Sequence, residues 1–289
     1  MKLWPTGWPA TRGSGGRSVT SLLTQVRYEV LPTKAVAATV ASVVPKDVTV
    51  TVTASPRKSI EVTVESALEL AAAGYKVVPH VSARLLRDSS HLGEVVGRLR
   101  EAGIEDVFVP AGDADPPVGV YDAALPVIVE LAELEQRFRV GITGYPQTHP
   151  QITDDVTIQS MWDKRLYADY IVSNLCFSAP VLRDWIRRVR ARGVTLPIYL
   201  GMAGPIEPTR LVEVARKIGV AESSRFAGGH LSWVARLSTP GGYQPERLLK
   251  RLAATLADPA AGIAGLHVFT FNQLEQTERW RQQLLAAAA

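Results

Sequence analysis

Two hydrophobic patterns alternate along the chain. Short runs rich in β-branched residues predict strands, and longer stretches with apolar residues spaced three or four apart predict helices. About eight strands are predicted, at 26–31, 48–53, 76–81, 106–110, 139–143, 170–174, 197–201 and 265–270. Helices are predicted between them, at 59–73, 91–102, 122–136, 179–192, 209–218 and 274–285. This alternation is typical of parallel strands joined by helices.

The predicted order favours a single α/β domain, a (β/α)8 TIM barrel spanning 22–289. No linker-like composition interrupts the series, and barrels of ~250 residues commonly form one unit. The interval 223–259 carries two extra helical patterns before the last strand. An open, doubly wound sheet is the alternative, because hydrophobic periodicity does not determine whether a sheet closes.

The first residues differ from the rest of the chain. Residues 1–21 carry Gly, Pro, Ser, Thr and Arg around Trp4 and Trp8, without a helical or strand period. A segment that buries no apolar face is expected to stay outside the core. We therefore predict a flexible or draped N-terminal arm at 1–21.

Composition narrows the class of protein. With 289 residues, of which 46% are hydrophobic, the chain can bury a substantial core. The formal net charge of +4 is scattered over predicted helices, so we predict no nucleic-acid partner. We also predict no membrane span and no exported form, hence a cytoplasmic protein, because neither a long apolar stretch nor a signal peptide is found. The single cysteine, Cys176, excludes an internal disulfide and favours a buried apolar role.

Polar residues cluster where the predicted strands end, which is where βα barrels place their chemistry. Glu29 lies inside the first strand, and a carboxylate there is either a surface residue or part of a buried ion pair. Asp113 could bind ligand or bond its own turn, and Asn174 could bind ligand or cap the next helix. Of the five histidines, His91, His230 and His267 have no spacing typical of a metal site.

The strand-end motifs, taken in chain order, resemble those of methylenetetrahydrofolate reductase. The matching segments are Glu29 with Pro32, Pro79-His80, Gly112-Asp113 with Pro116-Pro117, Gly-Tyr-Pro-Gln-Thr-His-Pro at 144–150, Ser173-Asn174, and Gly204-Pro205-Ile206. Each motif alone is weak, but several in barrel order at compatible spacings are hard to obtain by chance. The resemblance covers nearly the whole chain after Val26.

The resemblance implies reduction of 5,10-methylenetetrahydrofolate to 5-methyltetrahydrofolate. Glu29 would be the general acid, a partly desolvated carboxyl with a raised pKa that protonates the departing nitrogen. Asp113 and Asn174 would bind the pterin of the folate substrate. The resemblance also implies a set of cofactor-binding residues, namely Thr53, His80, Gly112, Tyr121, Tyr145, His149 and Lys164.

Departures from the family pattern concentrate where the family holds FAD. Ala111 stands where an arginine is expected, Ala54 stands where a tyrosine is expected, and Lys164 is the one basic match in a poorly matching helix. A pyrophosphate needs basic side chains or a helix N-terminus. We therefore predict that FAD is absent and that NADH passes its hydride directly to the folate. The alternatives are an ordinary FAD-dependent reductase and a folate-binding or methyl-transfer barrel without redox chemistry.

Overall fold

The computed structural model describes residues 18–134, 138–147, 152–206 and 243–287. In this part of the chain, eight parallel strands form one sheet. The strands are β1 Arg27–Val30, β2 Thr49–Val52, β3 Val77–Pro79, β4 Asp106–Phe108, β5 Arg139–Gly144, β6 Tyr170–Ser173, β7 Ile198–Ala203 and β8 Ile263–Phe269. Each overlaps a strand predicted from the sequence.

The sheet closes on itself. Its strand order is β3-β2-β1-β8-β7-β6-β5-β4, which leaves β3 and β4 at the two edges. His80, directly after β3, forms a parallel bridge with Phe108 of β4. The backbone N–H of Val81 donates to the carbonyl of Phe108 at 2.8 Å. The (β/α)8 barrel is thereby confirmed, and the open doubly wound sheet is wrong.

Helices surround the strands. The described helices are α1 Val19–Leu23, α2 Val36–Val43, α3 Ile60–Ala72, α4 Ser89–Glu101, α5 Ala124–Ala132, α6 Asp154–Lys164, α7 Ala179–Ala191, α8 Pro245–Ala257 and α9 Leu274–Ala286. Five of the six predicted helices correspond to α3, α4, α5, α7 and α9, and α8 falls in the interval predicted to carry extra helices. The helix predicted at 209–218 lies outside the described residues.

Strand alternation divides β1 between two environments. Tyr28 and Val30 are buried on the face toward the helices, and the Tyr28 hydroxyl donates to Glu278 of α9 at 2.7 Å. Glu29, between them, faces the interior of the barrel because successive side chains of a strand point to opposite faces. The main core therefore lies between sheet and helices, and a smaller apolar cluster of Val78, Phe108, Tyr170 and Val172 lies on the inward face.

The first described helix falls partly within the predicted arm. Val19 and Leu22 of α1 are buried, so packed structure begins before residue 22. Cys176 is buried, as its apolar surroundings predicted. Within the described ranges no helix is long and apolar enough to cross a membrane, and no three metal-ligating side chains gather.

Candidate active site

A cavity of about 820 Å³ opens at the carboxyl ends of the strands. This volume is within the range of small-molecule sites. Seven of the ten predicted site residues line it, namely Glu29, Thr53, His80, Gly112, Asp113, Tyr145 and Asn174. They come from the ends of six different strands, so the closed barrel is what brings them together.

Glu29 is the most constrained carboxylate of the cavity. Its side chain is 16% exposed, and two imidazoles approach the same carboxylate oxygen. His267 of β8 lies with Nε2 3.0 Å from Oε2 of Glu29. His80 lies with Nε2 3.7 Å from that oxygen, beyond hydrogen-bond distance. The buried ion-pair interpretation of Glu29 thus describes its surroundings better than the surface one.

The ionisation of Glu29 differs from the expectation. Burial alone would raise the pKa of this carboxyl, but the hydrogen bond from His267 and the charges of His80 and His267 outweigh burial and lower the pKa. The predicted raised pKa is therefore wrong for the protein without ligand, and Glu29 is ionised near neutral pH. Burial lowers the pKa of His80 to about 4, so this imidazole is neutral there.

His267 is a site residue that the sequence analysis missed. It lines the cavity, it is 1% exposed, and its ring packs edge-on against Phe269 with centroids 4.9 Å apart. A usable signal was present, because β8 must lie beside β1 in a closed barrel. His267 alternates with buried Leu266 and Val268, which places it on the inward face together with Glu29.

A tight turn presents Asp113 to the cavity. Gly112 has φ +90°, and a Cβ at this position would lie 1.9 Å from Oγ of Ser82. Only glycine fits there without rearrangement. Asp113 follows at the exposed edge of the cavity, and burial together with the charge of Asp113 raises the pKa of Tyr145 to about 12. Tyr145 therefore carries a neutral phenol beside a carboxylate.

Asn174 stands at the end of β6 on the same cavity. Its backbone N–H donates to the carbonyl of Gly144 at 2.7 Å, which extends the pairing of β5 with β6. Its Oδ1 accepts from the backbone N–H of Leu175 at 2.8 Å. The following helix, α7, has Ser178 at its N-cap position. The side-chain amide N–H groups of Asn174 are thus the part suited to a ligand.

Comparison with known proteins identifies a family for this chain. The family model described as methylenetetrahydrofolate reductase matches residues 33–221. The chain belongs to the methylenetetrahydrofolate reductase family. Among solved structures, an uncharacterized protein from Clostridium thermocellum that binds two copies of 5-methyl-5,6,7,8-tetrahydrofolic acid is 11% identical, with a TM-score of 0.59 over 91% of this chain and 95% of that chain. A protein from Burkholderia cenocepacia J2315, provisionally described as a lyase or mutase, is 15% identical, with a TM-score of 0.48 over 93% of this chain and 83% of that chain.

Three residues assigned from the reductase family have no described contact with the cavity. Tyr121 is buried, and its hydroxyl donates to the carboxylate of Glu130 at 2.8 Å. Lys164, at the end of α6, donates to Oγ of Ser160 at 2.7 Å. Neither side chain lines the cavity that the described residues form. His149 lies outside the described residues.

The described residues that line the cavity offer no unpaired lysine or arginine to the pyrophosphate of the reductase family's FAD. Among the described residues that line the cavity, Arg188 of α7 is the one lysine or arginine. Its guanidinium pairs with Asp154 at 2.7 Å and with Asp155 at 3.4 Å. Arg84, near Ala111, donates instead to the carbonyl of Ala114 at 2.6 Å. In the described part of the cavity, the basic side chain thus already has two carboxylate partners.

Proposed function

We propose that the protein reduces 5,10-methylenetetrahydrofolate to 5-methyltetrahydrofolate, with hydride taken directly from NADH. One observation carries the proposal: Glu29, Asp113 and Asn174, from three different strands, line a single cavity in a member of the methylenetetrahydrofolate reductase family. The clostridial neighbour binds 5-methyltetrahydrofolic acid, the product of this reaction, which supports a folate ligand on this barrel.

Recognition of the substrate would depend on Asp113 and Asn174. A carboxylate accepts two parallel hydrogen bonds from an amino-pyrimidine edge, and such a pair orients the pterin ring as well as holding it. The amide N–H groups of Asn174 can donate to an acceptor of the same ring, since its Oδ1 is bonded to the backbone. These contacts would place the folate methylene toward the interior of the barrel, where Glu29 lies.

Reduction requires one hydride and one proton. A carbon–nitrogen bond of the substrate's five-membered ring breaks, the remaining nitrogen and the methylene carbon form an iminium, and the departing nitrogen takes a proton. The hydride of NADH then adds to the methylene carbon, and NAD⁺ leaves. Glu29 would deliver the proton. Because its carboxyl is ionised in the free protein near neutral pH, Glu29 would first take that proton from solvent.

The charge balance of the cavity favours a dissociable dinucleotide over a resident flavin. A cofactor that stays bound through purification needs nanomolar affinity, about 12 kcal/mol, whereas a cosubstrate at micromolar to millimolar affinity needs about 4–8 kcal/mol. Each charge-assisted hydrogen bond to a phosphate contributes roughly 1.5–3 kcal/mol. The absence of two such bonds accounts for a difference of this size. Arg188 is already paired with Asp154, and Ala111 carries no charge, so two positions that could have bonded a phosphate do not.

A second function is favoured by one observation. An ionised Glu29 suits a protein that binds folate without reducing it, because binding alone needs no proton donor. The test is therefore made on purified protein whose absorption spectrum shows no flavin band. NADH consumption that depends on methylenetetrahydrofolate supports the reductase, and folate binding without NADH consumption supports the binding protein. Activity that appears only after FAD is added contradicts direct transfer and restores the ordinary flavoenzyme.

A further inference from the structure

The segment after β8 bonds the backbone at Glu29 and at Leu31, just past the end of β1. The hydroxyl of Thr270 donates to the carbonyl of Glu29 at 2.6 Å. Oδ1 of Asn272 accepts from the backbone N–H of Leu31 at 2.8 Å, and Nδ2 donates to the carbonyl of Leu31 at 3.1 Å. Two side chains of one short segment thus fix the position from which the Glu29 side chain projects.

This segment adopts a backbone conformation that side chains disfavour. Phe271 has φ +50° and Asn272 has φ +58°. Asparagine tolerates the left-handed region, but a bulky residue such as phenylalanine is strained there. Strain of this kind persists only where the surroundings enforce it, and it concentrates at functional sites. Here it brings the amide of Asn272 to both polar groups of Leu31.

The same strand also holds the carboxylate. His267 places Nε2 3.0 Å from Oε2 of Glu29, while its Nδ1 is buried without a hydrogen-bond partner among the described residues. A buried histidine that served packing alone would be expected to satisfy both nitrogens. None of the described residues donates to Oε1 of Glu29, so this oxygen is the one available to a ligand in the cavity.

We propose that His267 is a positioning residue, which holds Oε2 of Glu29 so that Oε1 faces the substrate, on a backbone fixed by Thr270 and Asn272. The role of Oε1 there rests on the proposed function, but the positioning of the carboxylate by His267 does not. Of the other titratable groups in this environment, His80 lies beside Oε2. Elsewhere the cavity is lined by Asp113, Tyr145, Asp154, Asp184 and Arg188, and behind β1 lie Tyr28, Glu278 and Arg281.

The effect of the His267 hydrogen bond on Glu29 is measured directly by titrating the Glu29 carboxyl. Protein labelled with ¹³C at glutamate Cδ gives one carboxyl signal per glutamate in NMR, and Glu29→Gln identifies the signal of Glu29. In His267→Leu the pKa of Glu29 should rise by roughly one unit, since burial remains and the hydrogen bond is lost. In His267→Gln, whose amide can donate from a similar place, the pKa should stay close to that of the wild type.

The matched control is His91→Leu, because His91 is also buried and also bonds a glutamate, with Nε2 2.9 Å from Oε1 of Glu61. It should leave the Glu29 signal unchanged. His267→Asn, whose shorter amide does not reach Oε2, should repeat the rise and serves if the leucine variant does not fold. An unchanged Glu29 pKa in both His267→Leu and His267→Asn would overturn the proposal.

Activity separates this inference from the proposed function. If Glu29 acts as an acid, kcat/KM falls as pH rises through its pKa, so His267→Leu should shift that fall to higher pH by the amount that NMR gives. A shifted NMR titration in a protein without reductase activity leaves the positioning role intact and removes the reductase. An unshifted titration in an active enzyme does the reverse.

Discussion

The amino-terminal end of the barrel surrounds a carboxylate with strong donors, whereas the carboxyl end gives Glu29 only imidazoles. Asp106, at the start of β4, accepts from Arg27 at 3.0 Å, from Arg139 at 3.2 Å and from the hydroxyl of Tyr170 at 2.5 Å. The guanidinium of Arg27 also stacks over the ring of Tyr199, 3.8 Å from its centroid. This carboxylate is neutralised by permanent charges.

The carboxyl end leaves polar atoms without partners. Nε2 of His80 and Nδ1 of His267 are buried without a hydrogen bond among the described residues, while at the other end the corresponding exception is Nη1 of Arg27. In βα barrels the amino-terminal end serves stability and the carboxyl end serves chemistry. A buried carboxylate thus bonds guanidinium groups at the amino-terminal end, where burial still raises the pKa of Asp106, and an imidazole at the cavity, where the pKa of Glu29 is lowered.

The largest effect is expected from a substitution that removes Asp106 from its contacts with Arg27, Arg139 and Tyr170. Asp106→Ala leaves Arg27 buried without its carboxylate, so we expect a loss of about 3–5 kcal/mol in the free energy of unfolding. Urea denaturation measures it. Activity per folded molecule should remain near that of the wild type, because the cavity lies at the other end. A loss below about 1 kcal/mol would show that this network contributes little to stability.

Acid should destabilise the carboxyl end through His80. The pKa of His80 is about 4 in the folded protein, below the usual 6.5, so the unfolded chain binds a proton that the folded protein does not. Stability is therefore full above about pH 6.5 and declines toward pH 4, by on the order of 2 kcal/mol near pH 5. Urea unfolding near pH 7 and pH 5 should show this decline in the wild type and a smaller one in His80→Gln. Equal declines would contradict a neutral, buried His80.

Glu29→Gln separates chemistry from stability at the carboxyl end. The amide keeps the shape of the side chain but carries no acidic proton, so turnover should fall ~10²-fold or more. Folate binding should stay within a few-fold of the wild type, as measured by calorimetry. Turnover equal to that of the wild type would remove Glu29 from the mechanism.

Asp113→Ala tests the exposed edge of the cavity. We expect folate binding to weaken by roughly 1.5–3 kcal/mol, because a charge-assisted pair to the pterin is lost. The free energy of unfolding should hardly change, since Asp113 is exposed. Calorimetric titration with folate checks the first statement and urea denaturation the second. Unaltered folate affinity would assign Asp113 to its turn alone.

The sequence predicted the strands better than the helices. All eight strands follow from β-branched runs, but α2, Val36–Val43, was not predicted. Its Ala- and Val-rich run has a weak helical period, and no side chain caps its N-terminus at Ala35. Packing against neighbouring elements therefore decides this helix, as it does for many short ones.

Sequence motifs predicted which residues lie near the cavity, but not the properties that depend on distances between their atoms. Glu29, Asp113 and Asn174 could be placed on one cavity because strand ends share one rim. The lowered pKa of Glu29 could not be predicted, because it depends on where His267 and His80 lie relative to one oxygen. Tyr121 was assigned by family match alone, which does not say which way a side chain points.

Direct hydride transfer is tested most sharply with NADH that carries deuterium at the transferred position of C4. If transfer is direct, each molecule of 5-methyltetrahydrofolate formed in ordinary water carries one deuterium in its methyl group, with no flavin added. Hydride that passes through a reduced flavin exchanges with water on the way. A methyl group without deuterium, formed by protein that releases FAD on denaturation, would contradict direct transfer.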